Sequence, residues 1–361
     1  MIVSRQTSID FGRCTVVLRA FRDRLSWRLD ARGMIIIAIL CGLAVLMAIL
    51  SLNSGKYPMA VMEVIGALAG VADAGSSGGA DDMARMIVFE WRLPRVALAL
   101  LLGSALGMSG AIFQSLTRNP LGSPDVIGFS AGSYTGALVV ILMMSGGYYE
   151  TAAGALTGGI MSAATVYLLA WRRGVQGFRL IIIGIGVAAM LGAFNSWMIR
   201  QADLQVAMSA SIWGAGSLNG LGFDQLVPVT IVLCCLVPMA IFLSRPMRQL
   251  ELGDDTARAS GIKANAMRLA LMVLGVALTA TVTAAAGPIS FIALAAPQIA
   301  RRLTRSGGVA LVPAGLTGGV LLIAADWAAQ HALGVQLPVG VMTVSIGGFY
   351  FIWLLVREGR K

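Results

Sequence analysis

A chain of 361 residues that is 57% hydrophobic and only 12% charged, with 44 glycines and a mean hydropathy of +0.82, fits neither the soluble globular nor the disordered class. Its net charge of +10 and pI near 10.1 do not point to nucleic acid, because the basic residues sit between apolar runs. The 17 acidic and 27 basic residues avoid the middle of those runs, as hydrocarbon demands, since a charge at the bilayer centre costs about 3 kcal/mol or more.

In chain order, a basic segment at residues 1–33 precedes a first apolar run at 34–52. No small-residue cleavage site follows that run, which reads as a span and not as a removable signal peptide. Further candidate spans lie at 96–114, 126–145, 152–171, 180–199, 226–244, 269–286, 289–300, 309–325 and 338–356. The eighth of the ten is short and contains Pro297. The expected fold is therefore all-α, a polytopic transmembrane helical bundle of about ten spans. Alternating the loops from a cytoplasmic N-terminus places 22 of the 27 basic residues inside and leaves Lys56, Arg85, Arg92, Arg95 and Arg200 outside. An odd number of spans destroys that asymmetry, so both termini are expected in the cytoplasm.

Glycines recur at helix-packing spacing. Gly103 and Gly107, Gly128, Gly132 and Gly136, and Gly154 and Gly158 follow the small-xxx-small pattern that lets helix backbones approach in lipid. Gly75 to Gly79, with Ser76 and Ser77, marks a flexible external loop. Cys14, Cys41, Cys234 and Cys235 have no metal-ligand spacing and imply neither a disulfide framework nor a metal site.

Two negatives narrow the energy source. A phosphate-binding loop ends in Gly-Lys-Ser/Thr, and none of Lys56, Lys263 and Lys361 has that setting, so the chain does not hydrolyse ATP. Ion-coupled carriers keep an ionisable residue near the midplane, whereas Asp125 and Asp326 lie at run ends. An external motor is the expected alternative. Its best contact is the loop 245–268, where residues 250–261 read as two short helices broken at Gly253 and Gly261. A solvated connector satisfies the same pattern.

The motif Glu90-Trp91-Arg92-Leu93-Pro94-Arg95, then Ser109 to Gln114, Arg118-Asn119-Pro120-Leu121-Gly122-Ser123-Pro124 and Gly128, resembles the signature of FecCD/BtuC-type permeases, the membrane subunits of ABC importers for siderophores, haem and vitamin B12. The likeness continues through Phe178 to Gly184, Leu252-Gly253-Asp254, Gly287-Pro288-Ile289-Ser290-Phe291 and Gln336 to Val341, and so spans residues 34–358, read as one permease domain. It implies a BtuC-like fold, no enzymatic activity and no cofactor. The implied partners are ABC ATPase subunits, a periplasmic siderophore-binding protein, a second permease subunit that is a paralogue or the same chain, and membrane lipid. The implied location is the bacterial inner membrane. The implied cargo is a ferric siderophore, most of all a catecholate such as ferric enterobactin, with haem, vitamin B12 or a motor-independent facilitator as alternatives.

The resemblance also assigns roles. Arg92 and Arg95 would receive acidic residues of the binding protein, although arginines snorkelling at a helix start look the same in sequence. Leu252, Gly253, Asp254, Ala257 and Gly261 would meet the ATPase, with Asp254 expected as an exposed charge of small worth. Asn119, Pro120 and Leu121, with Gly177 and Phe178, would close the pathway on the cytoplasmic side. A simple turn explains the first three equally well.

Overall fold

The computed structural model describes the chain except at residues 1, 5–14, 21–24, 56–58, 60–61, 65, 67–82, 84, 126–127, 145, 172–176, 333 and 359–361. The loop expected at Gly75 to Gly79 lies outside the described residues.

Three short antiparallel strands, β1 (Ile2–Ser4), β2 (Thr15–Ala20) and β3 (Leu25–Asp30), pair in sequence order, with Thr15 opposite Asp30 and Ile2 opposite Arg19. The basic segment thus carries a small sheet that the charge count did not suggest. Among the described residues ten longer helices, seven of them long and apolar enough to cross a membrane, overlap the ten expected spans. They are α1 (Ala31–Asn53), α2 (Ile87–Thr117), α3 (Phe129–Met144), α4 (Tyr148–Ala170), α5 (Gly177–Gln201), α7 (Phe223–Glu251), α9 (Ala264–Ala286), α10 (Ile292–Thr304), α11 (Leu311–His331) and α12 (Val339–Glu358). Two short helices were not read as spans: α6 (Leu204–Gly214) and α8 (Asp254–Ala259). Helix α1 starts three residues before the expected span because the Asp30 side chain accepts from the Arg32 amide and caps it. The first turns of α2, Ile87–Arg92, are π-helical.

Contacts between loops sort the helix ends into two groups. Leu303 accepts from the Arg32 side chain, the Gly177 backbone abuts Thr117, and the Glu251 carboxylate accepts from the Val309 amide. These define the end that carries α8. At the other end, Tyr148 donates to the Ala285 carbonyl, the Ser217 amide to Ala286 and the Gly340 amide to Gly216. Since α1 enters from the α8 end and α12 starts from the opposite one, both termini of the bundle return to one face, as an even number of spans requires.

The core centres on α2, most of which is buried between α11, α10 and α9. A Cβ on Gly103 or Gly107 would overlap the backbone of Gly318 or Ala314, and one on Gly318 would overlap Gly103. Gly136 and Gly154, and Gly158 and Gly132, block each other in the same way between α3 and α4. The packing reading of these glycines is sound, with one correction. Gly128 lies before α3 and not within it, with φ of 83°, a left-handed backbone that glycine adopts without strain, and a Cβ there would meet the Gly184 carbonyl of α5 at 3.2 Å.

Candidate functional site

At the end opposite α8, Trp91, Arg92, Arg95, Ser54, Gln330 and His331 line a cleft of about 500 Å³. The motif brings Trp91 and Arg92 there through the π-helical turns of α2, and Trp91 is 59% exposed. The two arginines behave differently. Arg92 donates to the Leu52 carbonyl at 2.6 Å, tying the end of α1 to the start of α2, and remains partly exposed. Arg95 points inward and makes a two-pronged pair with Asp326, Nε to Oδ2 at 2.9 Å and Nη2 to Oδ1 at 2.8 Å, while Gln330 also donates to Oδ2 at 2.9 Å. The side chains of Arg95 and Asp326 are 16% and 2% exposed. Asp326 is therefore not simply a charge at the end of a run. It lies five residues before the end of α11, neutralised by a partner 231 positions earlier. A fork-to-fork pair of this kind satisfies most of both charges internally.

At the α8 end, the motor segment expected as two short helices forms as the end of the 29-residue α7 and the short α8, which change direction at Gly253. That glycine has φ of 119°, a backbone that a side chain resists, and a Cβ there would have space. Gly261, with φ of 81°, terminates α8: its amide donates to Arg258 and the Ile262 amide to Ala257, so both orphan carbonyls are met. Ala257 is fully buried, whereas Leu252 is 73% exposed. The segment thus presents an apolar tip at a two-helix corner.

Asp254 departs from the expectation of an exposed charge whose pairing is worth little. Its Oδ1 accepts from Arg268 of α9 and from Arg118, the latter at 2.9 Å, and its side chain is 31% exposed. Burial by itself would raise the Asp254 pKa, but hydrogen bonds and charge from Arg268 and Arg118 outweigh it and hold the carboxyl below its usual value. A depressed carboxylate stabilises the fold above its unfolded pKa of about 3.9 and loses that effect only as pH falls through the folded value, so the cluster stays charged across the neutral range.

The expected gate residues meet at the same end. Arg118 closes α2 with a left-handed backbone, φ 49°, and the Asn119 side chain accepts from the Leu121 amide to make the following turn. Gln298 of α10 donates to the Pro120 carbonyl at 2.7 Å, which fixes the loop from the other side. A Cβ on Gly177 would sit 2.8 Å from Thr117 backbone atoms, so α5 starts hard against the end of α2. Phe178 is 76% exposed beside it. Arg200 ends α5 exposed at the far end. Among the described residues no group of three or more His, Cys, Asp or Glu side chains gathers that would hold a metal ion.

Comparison with known proteins decides what this frame is. The family model described as the FecCD transport family matches residues 40–357. The chain belongs to the FecCD transport family. This FecCD chain is 49% identical over 331 residues to the ferric enterobactin transport system permease protein FepG of Escherichia coli, a match covering 91% of the chain and 98% of the relative. It is 35% identical over 349 residues to the achromobactin transport system permease protein CbrC of Dickeya dadantii, covering 95% and 97%. It is 32% identical over 336 residues to the iron(3+)-hydroxamate import system permease protein FhuG of Bacillus subtilis, covering 90% and 98%. A solved structure assigned to the metal-chelate type of ABC transporter, in an inward-facing conformation, matches with a TM-score of 0.78 and 25% identity, covering 90% of this chain and 99% of that one. The polytopic helical fold and the role of a transport permease rather than an enzyme follow from these matches.

Sequence reasoning missed both charge clusters. Nothing in local spacing links Arg95 to Asp326 or Arg118 to Asp254, although Arg95, Arg118 and Asp254 stand within quoted motifs. The one available signal was arithmetic: an apolar bundle that tolerates Asp326 near a helix end must supply a cation.

Proposed function

We propose that this chain is one of two permease subunits of an ATP-driven importer that moves a ferric siderophore, an anionic tris-catecholate chelate, across the bacterial inner membrane. The observation that carries this reading is the 49% identity, nearly end to end, to a permease named for ferric enterobactin transport. Relatives named for achromobactin and hydroxamate import share less identity, 35% and 32%. The positive-inside count supports a cytoplasmic α8 end, with both termini on that side and 22 of the basic residues there by the sequence alternation.

In this reading α8 and the exposed Leu252 seat an ABC ATPase on the cytoplasmic face. The loop of Asn119, Pro120 and Leu121, with Gly177 and Phe178, closes the cytoplasmic mouth. On the periplasmic face Arg92 receives an acidic lobe of a siderophore-binding protein, while Arg95 holds the helix that presents it. A second permease, a paralogue or another copy of this chain, completes the pore. Binding and release of ATP in the partner supply the differential affinity that shifts the pore between its two states.

Uptake of radiolabelled iron in a strain deleted for this chain tests the cargo. The expected result is loss of ferric catecholate uptake, restored by the gene in trans, with ferric hydroxamate, haem and vitamin B12 uptake unchanged. Loss of hydroxamate, haem or vitamin B12 uptake with catecholate uptake intact contradicts the assignment.

A further inference from the structure

We infer that Asp254 is the joint through which movement of α8 reaches the loop of Asn119, Pro120 and Leu121, with Arg118 as the connecting arm. The inference rests on the reading of residues 252–261 as the ATPase seat and adds to it a path from that seat to the gate.

Helix α8 packs mainly against α7 and α9, its neighbours in sequence. Of its residues only Ala257 is buried, and Gly261 beyond it has open space around its backbone. The corner at Gly253 has a left-handed backbone and nothing within 3.9 Å of a would-be Cβ. Such a corner suits a pivot. Across this pivot lies a single guanidinium: Arg118 Nη2 donates to the Leu250 carbonyl at 2.8 Å on the α7 side and to Asp254 Oδ1 at 2.9 Å on the α8 side. When α8 tilts about Gly253, the two acceptors of Arg118 separate, and the arm must follow one of them.

Arg118 is also the last point before the gate loop. Its amide donates to the Ser115 carbonyl and its φ is 49°, a conformation that costs a non-glycine residue energy and is held by its surroundings. Displacing its side chain acts directly on Asn119, whose amide donates to Gln114 and whose carboxamide shapes the turn to Leu121. The Gln298 bond to Pro120 fixes the opposite side of the loop, so the loop rotates about that point instead of translating. Arg268, the second cation on Asp254 Oδ1, ties the joint to α9. One carboxylate thus holds two arginines from different helices. Without its charge the two guanidiniums lose the counter-charge they share, and the attraction that draws both to this point is gone. Asp254 and Arg118 act by positioning and touch neither cargo nor nucleotide.

The test uses the assembled importer, with ATPase and binding protein, in proteoliposomes, and measures ATP hydrolysed per iron delivered as the tris-catecholate complex. Asp254→Asn and Arg118→Gln are each expected to raise that ratio about ten-fold, the scale of a typical coupling between sites, with the ATPase still co-purifying. The double variant is expected to match the more severe single one, because both break the same link. Transport and hydrolysis falling in proportion, an unchanged ratio, or additive effects would overturn the inference. If Asp254→Asn is not recovered folded, Arg118→Gln decides alone, since it leaves the Asp254–Arg268 pair in place. Leu252→Asp separates the two levels: it should detach the ATPase. Retention of the ATPase by Leu252→Asp refutes the seat itself and this inference with it, whereas detachment combined with an unchanged ratio in the joint variants refutes the joint alone.

Discussion

Gly110→Val yields no folded permease. A Cβ at position 110 would overlap the Ala293 carbonyl oxygen and crowd the Ala293 carbonyl carbon and Cα, which are backbone atoms that no rotamer change can move aside. The only relief is to separate α2 from α10. That separation would also open the adjoining contacts at Gly107 with Ala314 and at Gly103 with Gly318, because all three glycines lie on the same buried helix. Overpacking a core usually costs about 1 to 3 kcal/mol, and here the cost is larger because the obstruction is a rigid helix and there is no hydrophobic drive between helices in lipid to offset it. Membrane yield and monodispersity in mild detergent measure the outcome. Gly42→Ala in α1 is the matched control, with nothing within 4 Å of its would-be Cβ, and should match the wild type or gain slightly from helix propensity. Recovery of Gly110→Val at wild-type yield would mean that α2 and α10 do not cross as closely as described.

Asp326→Asn and Arg95→Ala lose most of their thermal stability margin, whereas Arg92→Glu retains it and instead weakens docking of the binding protein. Removing either member of the Arg95–Asp326 pair leaves the other charged and largely enclosed, a situation that costs about 3 to 5 kcal/mol and lowers the unfolding midpoint by on the order of 10 °C. Arg95→Lys should not rescue it, since a single ammonium cannot reproduce the two parallel bonds to both carboxylate oxygens. Arg92, by contrast, donates to the Leu52 carbonyl and borders the open cleft. Its reversal should lower affinity for the binding protein more at low salt than at high salt, because exposed charges are screened over about 10 Å at 0.1 M. Midpoints by fluorescence-detected size exclusion, paired with binding across ionic strength, separate the two roles. Equal docking losses for Arg92 and Arg95 variants, with unshifted midpoints, would contradict the division.

The bundle was legible in sequence wherever a single physical constraint acts over a whole segment. Hydrocarbon forces an apolar stretch, so a helix lies at each expected span among the described residues, seven of them long and apolar enough to cross a membrane. Helix ends differ where other forces act: the Asp30 cap before α1, the π-helical turns that start α2 at Ile87, and the extension of α7 to Glu251. Close backbone approach forces glycine, so the α2–α11 and α3–α4 crossings could be read from spacing. Gly128 shows the limit of that logic, because the same residue type also serves a left-handed turn and spacing does not separate the two uses. Helix α6 was missed because its 11 residues are too few to span and follow the polar break of Arg200 to Asp203.

The candidate site divides the same way. Gly253 and Gly261 were recognisable as breaks because their backbones demand glycine, and the corner they frame has the expected extent. Partner choice was not recognisable. Asp254 looked like an exposed acid from its neighbours in sequence, yet its environment is set by Arg118, 136 residues away, and by Arg268, across another helix boundary. Arg92 and Arg95 looked equivalent at three-residue spacing, and only the fold of α11 against α2 shows that, of two arginines bordering one cleft, Arg95 is held by Asp326.

The central claim is that this chain forms an ATP-driven pore for a ferric chelate, and its most direct test is iron entry into proteoliposomes that hold the permease pair and its ATPase. With binding protein and radiolabelled ferric tris-catecholate outside and the nucleotide sites supplied, uptake should require hydrolysable ATP, exceed the external concentration, and stop when ATP is replaced by a non-hydrolysable analogue. Uptake that proceeds without ATP and halts at equal concentrations on the two sides would show a facilitator and contradict the account.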